Sequence, residues 1–197
     1  MFAFATHTGK TDRFRRSHDN DLGYDLGTAL ILDADNGRPL GPMEFRLRTA
    51  TGMLATRPGG AANPPAHIDE LTDVMADSRR WNLGKPIVHI VDREADSVLH
   101  YRRWHAAGHR FLVRANGKRR VLWNGQSALL QDILKHADGQ FRDDPSDTPL
   151  KVHTATGIGR VQIFETAVVL DRMAKTMIDG VKTDVKGPPL PLRLVLT

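Results

Sequence analysis

The strongest constraint on what this chain can fold into is the run Ile87-Val88-His89-Ile90-Val91. It is preceded by Gly84-Lys85-Pro86 and ended abruptly by Asp92-Arg93-Glu94. A short apolar, β-branched run between breaking signals predicts a buried central strand. A helical pattern follows from Ala95 to Ala107, with Ala95, Val98 and Leu99 inward and Arg102 and Arg103 outward, and Gly108 closes it. Arg110–Arg114 then reads as another strand, and strand–helix–strand at this length fits a right-handed parallel crossover. In open α/β sheets, ligands meet the chain just beyond the carboxyl ends of the strands. Asp92 stands there, anchored by a strand yet open to a cleft, as a metal ligand must be. On position alone, the commoner role of such an Asp is to cap the next helix or begin a turn.

Before this unit, Met1–Ala5 looks like part of a strand and Tyr24–Leu32 reads as a second. Asp35-Asn36-Gly37-Arg38-Pro39 is a turn signal, since Asn-Gly readily takes positive φ. Pro42–Arg48 returns as the second arm of a hairpin. There Met43, Phe45 and Leu47 alternate with Glu44, Arg46 and Arg48, which predicts an apolar buried face and a polar outer one. Residues 49–65 read as a loop. A helix starts near Ala66, with Ile68, Leu71, Val74 and Met75 inward and Asp69, Glu70, Asp73 and Asp77 outward, and Asn82–Pro86 stops it.

Beyond Asn116 the pattern changes. A short helix is expected around Leu129, Leu130, Ile133 and Leu134, then a polar loop over Gly139–Pro149. Lys151–Leu170 and Leu190–Leu196 read as strands separated by a Gly- and Pro-containing linker. The chain has 197 residues and no Cys, so thiolate metal sites and disulfides are excluded, which suits a reducing cytoplasm. No apolar run is long enough to span a bilayer, and no signal-peptide pattern opens the chain. Its net charge is +5. Residues 1–120 hold 19 Lys and Arg against 14 Asp and Glu, whereas residues 121–197 hold 9 of each. The densest basic window runs from Arg102 to Arg120, with seven basic residues and no acidic one. Such a window is ordinarily a solvated face. Beside an exposed metal-type Asp it reads as a track for a phosphate backbone.

The pentapeptide Asp92-Arg93-Glu94-Ala95-Asp96 resembles the motif of DDE transposases of bacterial insertion sequences, specifically the insertion-sequence-four branch. The resemblance extends to Lys10-Thr11-Asp12-Arg13, Asp21-Leu22-Gly23-Tyr24, His67-Ile68-Asp69-Glu70-Leu71 and His109–Arg114, and covers about residues 7–116. It implies an α/β fold: a ribonuclease-H-like mixed sheet with flanking helices over residues 1–116, then a β-rich insertion over residues 117–197. It also implies metal-dependent cleavage of transposon ends and their transfer into target DNA, by a homodimer on the nucleoid of a bacterial cytoplasm.

In that family two ions, Mg²⁺ or Mn²⁺, serve the in-line attack on a phosphodiester. They are held by an Asp on the first strand, an Asp on the central strand and a Glu on a later helix. Asp92 matches the second, as catalytic residue and metal ligand. By the family register the first would fall just upstream of Met1 and the third after Thr197, so the chain reads as the middle of a transposase, inactive alone. DNA contacts are expected from Arg93, Glu94, Arg102, Arg103, Arg114, Lys118, Arg119 and Arg120. The simpler role for Arg93 and Glu94 is a helix-start salt bridge, and Asp96 is expected to support the helix N-terminus. Asp12 and Asp21 read as loop and pairing residues, and Glu165 sits in a strand-like run. His105 and His109 are no zinc motif, because Gly108 breaks the helix between them. Trp81, Trp104 and Trp123 read as core or interface residues. The rival expectation is a non-catalytic DNA-binding or partner-binding remnant that interferes with intact transposase. A stand-alone nuclease would require two further carboxylates at the site.

Overall fold

The computed structural model describes residues 2–4, 12–15, 21–56, 67–137, 139–143, 151–154 and 157–197. The loops expected at Arg57–Pro65 and over residues 144–149 lie outside the described residues. The chain divides into two compact units, Met1–Lys85 and Pro86–Thr197. The compositional boundary at residue 116 falls inside the second. The architecture is mixed α/β, dominated by strands, with three α-helices among the described residues.

The first unit contains β1 (Phe2–Phe4), β2 (Phe14–Arg15), β3 (Leu22–Leu32), β4 (Pro39–Thr49), β5 (Gly52–Ala55) and α1 (His67–Ser78). Its antiparallel sheet runs β1-β3-β4-β5, with β2 also on β3. The hairpin β3–β4 stands where alternation placed it. Its turn is built by Asp33, whose carboxylate accepts from the Asp35 N–H at 3.0 Å and from Asn36 Nδ2 at 2.8 Å, while Gly37 takes φ 70°. Part of the expected 49–65 loop is β5, paired to β4 from Arg46↔Ala55 to Thr49↔Gly52.

The hairpin's faces are the reverse of those expected. Glu44 and Arg46 are the buried side chains of β4, at 4 % and 5 % exposure, whereas Phe45 is 39 % exposed. The inversion is possible because most of the buried charge is paired, Arg46 Nη2 alone of that guanidinium having no hydrogen-bond partner. Arg46 Nε donates to Glu44 Oε1 at 2.6 Å, and Arg46 Nη1 donates to the backbone carbonyl of Glu70 on α1 at 3.0 Å. Glu70 correspondingly turns inward rather than out, and its carboxylate accepts from Arg48. Among apolar residues, Met53 and Met75 complete this interior. Period-two alternation fixes which residues share a face but not which face meets the helix. A buried pair missing one partner leaves an uncompensated charge.

The second unit opens with β6 (Val88–Val91), a 3₁₀ turn at Arg93–Ala95, α2 (Val98–Ala106) and β7 (Arg110–Val113). β6 and β7 pair in parallel, from Val88↔Arg110 to Val91↔Val113, as strand–helix–strand required. Trp104 on α2 is fully buried and meets Phe111 edge-on at 5.5 Å, and Tyr101 stacks on the same ring. The other face is bare: Val88, Ile90 and Leu112 are exposed, Ile90 by 68 %. Among the described residues, the strand expected to be central and buried is therefore half of a two-stranded ribbon, with one face exposed. Nothing in a four-residue apolar run distinguishes a strand covered on both faces from one covered on one.

There follow β8 (Arg120–Trp123), β9 (Gln126–Leu129), α3 (Leu130–His136), β10 (Arg142–Asp143), β11 (Lys151–Thr154), β12 (Gly157–Arg160), β13 (Gln162–Leu170), β14 (Ala174–Ile178), β15 (Val181–Val185) and β16 (Leu190–Leu196). β13 is the hub of the main sheet, pairing with β8, β10 and β16. The core under it is Val121, Leu130, Ile133, Val168, Leu170 and Leu190. The expected linker before β16 is in fact the hairpin β14–β15. Its turn, Asp179-Gly180, takes φ 50° and 78°, the positive pair that a two-residue hairpin requires. Asn124-Gly125 does the same between β8 and β9, at 50° and 75°.

Glu44→Ala should destabilise the first unit by about 3 kcal/mol, because it strands Arg46. Replacing Glu44 and Arg46 together by apolar residues of similar volume should cost much less. Chemical denaturation of the three proteins tests this, and equal losses in single and double variants would rule the pair out as the cause.

Candidate functional site

Asp92 lies one residue beyond the carboxyl end of β6 and is exposed, as its position in the sequence suggested. Its backbone is extended, and its Oδ1 accepts from the Glu94 N–H at 3.0 Å, capping the 3₁₀ turn. The capping role is thus real. It uses one oxygen of a carboxylate that remains at the surface. Arg93 and Glu94 form the exposed crest of the turn. At the same rim, the Arg114 N–H donates to the Val91 carbonyl at 3.3 Å, so the exposed Arg114 follows β7 just as Asp92 follows β6.

Asp96 closes the turn and is half-buried, with its carboxylate turned inward. Its Oδ1 accepts from Tyr101 Oη at 2.8 Å and from Arg119 Nη2 at 2.6 Å, and its Oδ2 accepts from the Asn116 N–H at 3.1 Å. The Asp96 carbonyl takes a second bond from Arg119 Nη2, at 2.9 Å. The last acid of the pentapeptide, expected to support the start of α2, therefore does not cap it but bonds the Tyr101 side chain further along that helix and ties the 116–119 loop to it. Burial, reinforced by the Asp96 hydrogen bond, pushes the Tyr101 phenol far above its ordinary range.

The basic window divides into two populations. Arg103, Arg114, Lys118 and Arg120 are exposed. Arg119 is held on Asp96 with its side chain 16 % exposed. Arg102 is half-buried, donating from Nε to the Pro188 carbonyl at 2.9 Å and from Nη2 to the Arg172 carbonyl at 2.7 Å. These two guanidinium groups are engaged by the fold, whereas the exposed members remain at the surface.

Other acids are placed by the structure in pairs. Tyr24 donates to the Asp12 carboxylate, joining two of the resemblance motifs. Glu165 lies on β13, within 3.2 Å of Arg193 Nη1 and 3.9 Å of Arg142 Nη2. Trp104 is core, and Trp123 Nε1 donates to Thr166 Oγ1 at 3.0 Å, whereas Trp81 is half exposed. Among the described residues, no group of three or more His, Cys, Asp or Glu side chains converges to hold a metal ion. The residues around Asp92 do not by themselves fit a two-ion centre. Among the described residues, no helix is long and apolar enough to cross a membrane. No known family model matches the chain, and no curated protein does.

Two outcomes check this geometry. Asp92→Ala should cost about 1 kcal/mol through the lost cap, whereas Asp92→Asn, which caps as well, should cost less than about 0.5 kcal/mol. Thermal melts compare them, and equal losses would exclude the cap. Tyr101 holds its proton in the folded chain at pH values where the unfolded chain releases it. Its stabilisation is full below the ordinary phenol value of 10.0 and is lost as pH rises past it. The stability gap between the wild type and Tyr101→Phe should therefore shrink above that pH; a gap that is constant or widens would contradict the assignment.

Proposed function

We propose that this chain is the core of a DDE-type transposase of the insertion-sequence-four branch, acting on transposon ends and target DNA as a homodimer on the bacterial nucleoid. The observation that carries the reading is Asp92, exposed at the carboxyl end of a parallel strand, opening the Arg93–Asp96 turn with Arg114 at the same rim. A ribonuclease-H-like arrangement belongs to the same proposal. The parallel strand–helix–strand unit of β6, α2 and β7 supports it.

The chemistry assigned to this chain's own residues is binding and positioning. Arg93, Arg114, Lys118 and Arg120 are exposed cations on or beyond the ends of β6 and β7, suited to phosphate oxygens. Asp92 and Glu94 are anions beside them and would repel DNA without a cation between. The resemblance supplies Mg²⁺ or Mn²⁺ in that role, but two ions need more carboxylates than the described residues bring together. Acting alone, the chain holds DNA rather than cutting it. The second reading, a non-catalytic DNA-binding or partner-binding form that interferes with intact transposase, is favoured by the acids themselves. Asp92 Oδ1 serves as a cap, and Asp96 is hydrogen-bonded by Tyr101, Asn116 and Arg119.

The purified chain should bind duplex DNA with little sequence preference and lose affinity steeply as salt rises. Asp92→Asn should not weaken that affinity, since it removes no phosphate contact and takes away one repelling charge. In an enzyme rebuilt with the family's first Asp and its Glu helix, the same change should abolish Mg²⁺-dependent cutting. Cutting that survives the substitution would overturn the role of Asp92, and cutting by the isolated chain would overturn the binding-only assignment.

A further inference from the structure

The β14–β15 hairpin is an exposed ribbon with a built anchor. Its strands pair from Ala174↔Val185 to Ile178↔Val181 and, among the described residues, with no other strand. Two isolated strands are marginal in water, so something must fix this pair. At its root, β14 lies against α2 and Ala174 is buried. Arg102 of α2 then bonds the carbonyls of Arg172 and Pro188, one on each side of the hairpin. Gly187 lies flat against that guanidinium: a Cβ there would meet Arg102 Cδ and Nη1 at 3.0 Å. One arginine therefore clasps both stems of an arm whose outer half touches little.

Opposed residues of an antiparallel pair share a face. Lys175, Met177, Lys182 and Asp184 thus stand together, all exposed, with the exposed Lys186 just beyond. At the tip, Ile178 and Val181 pair on the other face, and Val181 is 64 % exposed. The ribbon thus bears lysines along its length and an apolar end, with Asp184 the one acid on the lysine face and Asp179 in the turn. Met177, beside the lysines, is likewise exposed, at 63 %. A two-stranded ribbon fits the DNA major groove, about 12 Å wide, where lysines meet phosphates and apolar side chains meet thymine methyls.

We propose that the β14–β15 hairpin is a DNA-engaging arm that enters the groove of a duplex, and that Arg102 with Gly187 sets its angle as a positioning device. The inference rests on the DNA-binding reading above and names the element that carries it. Arg102 then contributes to DNA binding through the arm rather than through a phosphate.

The test uses the whole chain and a short labelled duplex of mixed sequence, titrated by anisotropy across a range of salt. Changing Lys175, Lys182 and Lys186 together to Gln should weaken binding about tenfold and reduce the slope of log affinity against log salt by about 2–3. Far-ultraviolet dichroism and a thermal melt confirm that the variant is folded. Because the chain has no cysteine, Lys182→Cys also provides a single thiol for a photo-crosslinker, which should label DNA where Lys135→Cys on α3 does not. Arg102→Gln should lower the Lys182→Cys cross-linking yield while leaving the arm's lysines in place. If the wild type binds with a steep salt slope but the triple variant matches it and Lys182→Cys gives no cross-link, the arm is wrong and the DNA-binding reading stands. If the wild type does not bind duplex at all, both fall.

Discussion

The second unit depends on the carboxylate of Asp96. A carboxylate turned away from water must be hydrogen-bonded, and here a phenol, a guanidinium and a backbone N–H bond both of its oxygens. Each partner belongs to a different segment: Tyr101 is on α2, Asn116 follows β7, and Arg119 immediately precedes β8. The same residue closes the 3₁₀ turn through its own N–H on the Arg93 carbonyl at 3.1 Å. The exposed Asp92 is therefore held from behind by a hydrogen-bonded, half-buried acid four residues on. In this pentapeptide the two aspartates divide the work: the first faces solvent and the last builds the platform.

That division clarifies the charge of the chain. A basic window counted from sequence treats every Arg as available to a polyanion. Arg119 is bound to Asp96, and Arg102 to two carbonyls remote in sequence, whereas Arg114, Lys118 and Arg120 remain at the surface. Arginine is suited to both uses because its planar fork makes several directed hydrogen bonds at once. The net charge of +5 thus does not tell how many cations are free to meet a partner.

The β3–β4 hairpin, α1, α2 and the parallel strand–helix–strand unit were legible in the sequence, because each combines a periodic pattern with a turn or cap residue at its end. So was the exposed position of Asp92. The buried face of β4 was not: alternation is symmetric, and only the meeting of Arg46 and Arg48 with Glu70 on α1 decides it. Asn124-Gly125 and Asp179-Gly180 were hairpin signals present in plain sight. They were obscured by polar flanks such as Lys175-Thr176 and Lys182-Thr183, which lack the apolar weight of a core strand. The clasp of Arg102 was beyond reach, since nothing local ties residue 102 to residues 172 and 188.

The position of β13 in its sheet also constrains the order in which the second unit can form. The β3–β4 hairpin closes over a short turn, and every pairing of the first unit lies within Met1–Lys85, so it can fold as that length of chain emerges. β13 cannot: its longest pairing, from Phe164↔Leu196 to Leu170↔Leu190, waits until residues 190–196 exist. During synthesis the nascent β13 carries Val168, Val169 and Leu170 with one edge unpaired, next to the already made β8. The interval before β16 arrives is when this chain is most open to mispairing, and the β14–β15 hairpin, closing locally within it, shortens the loop that β16 must span.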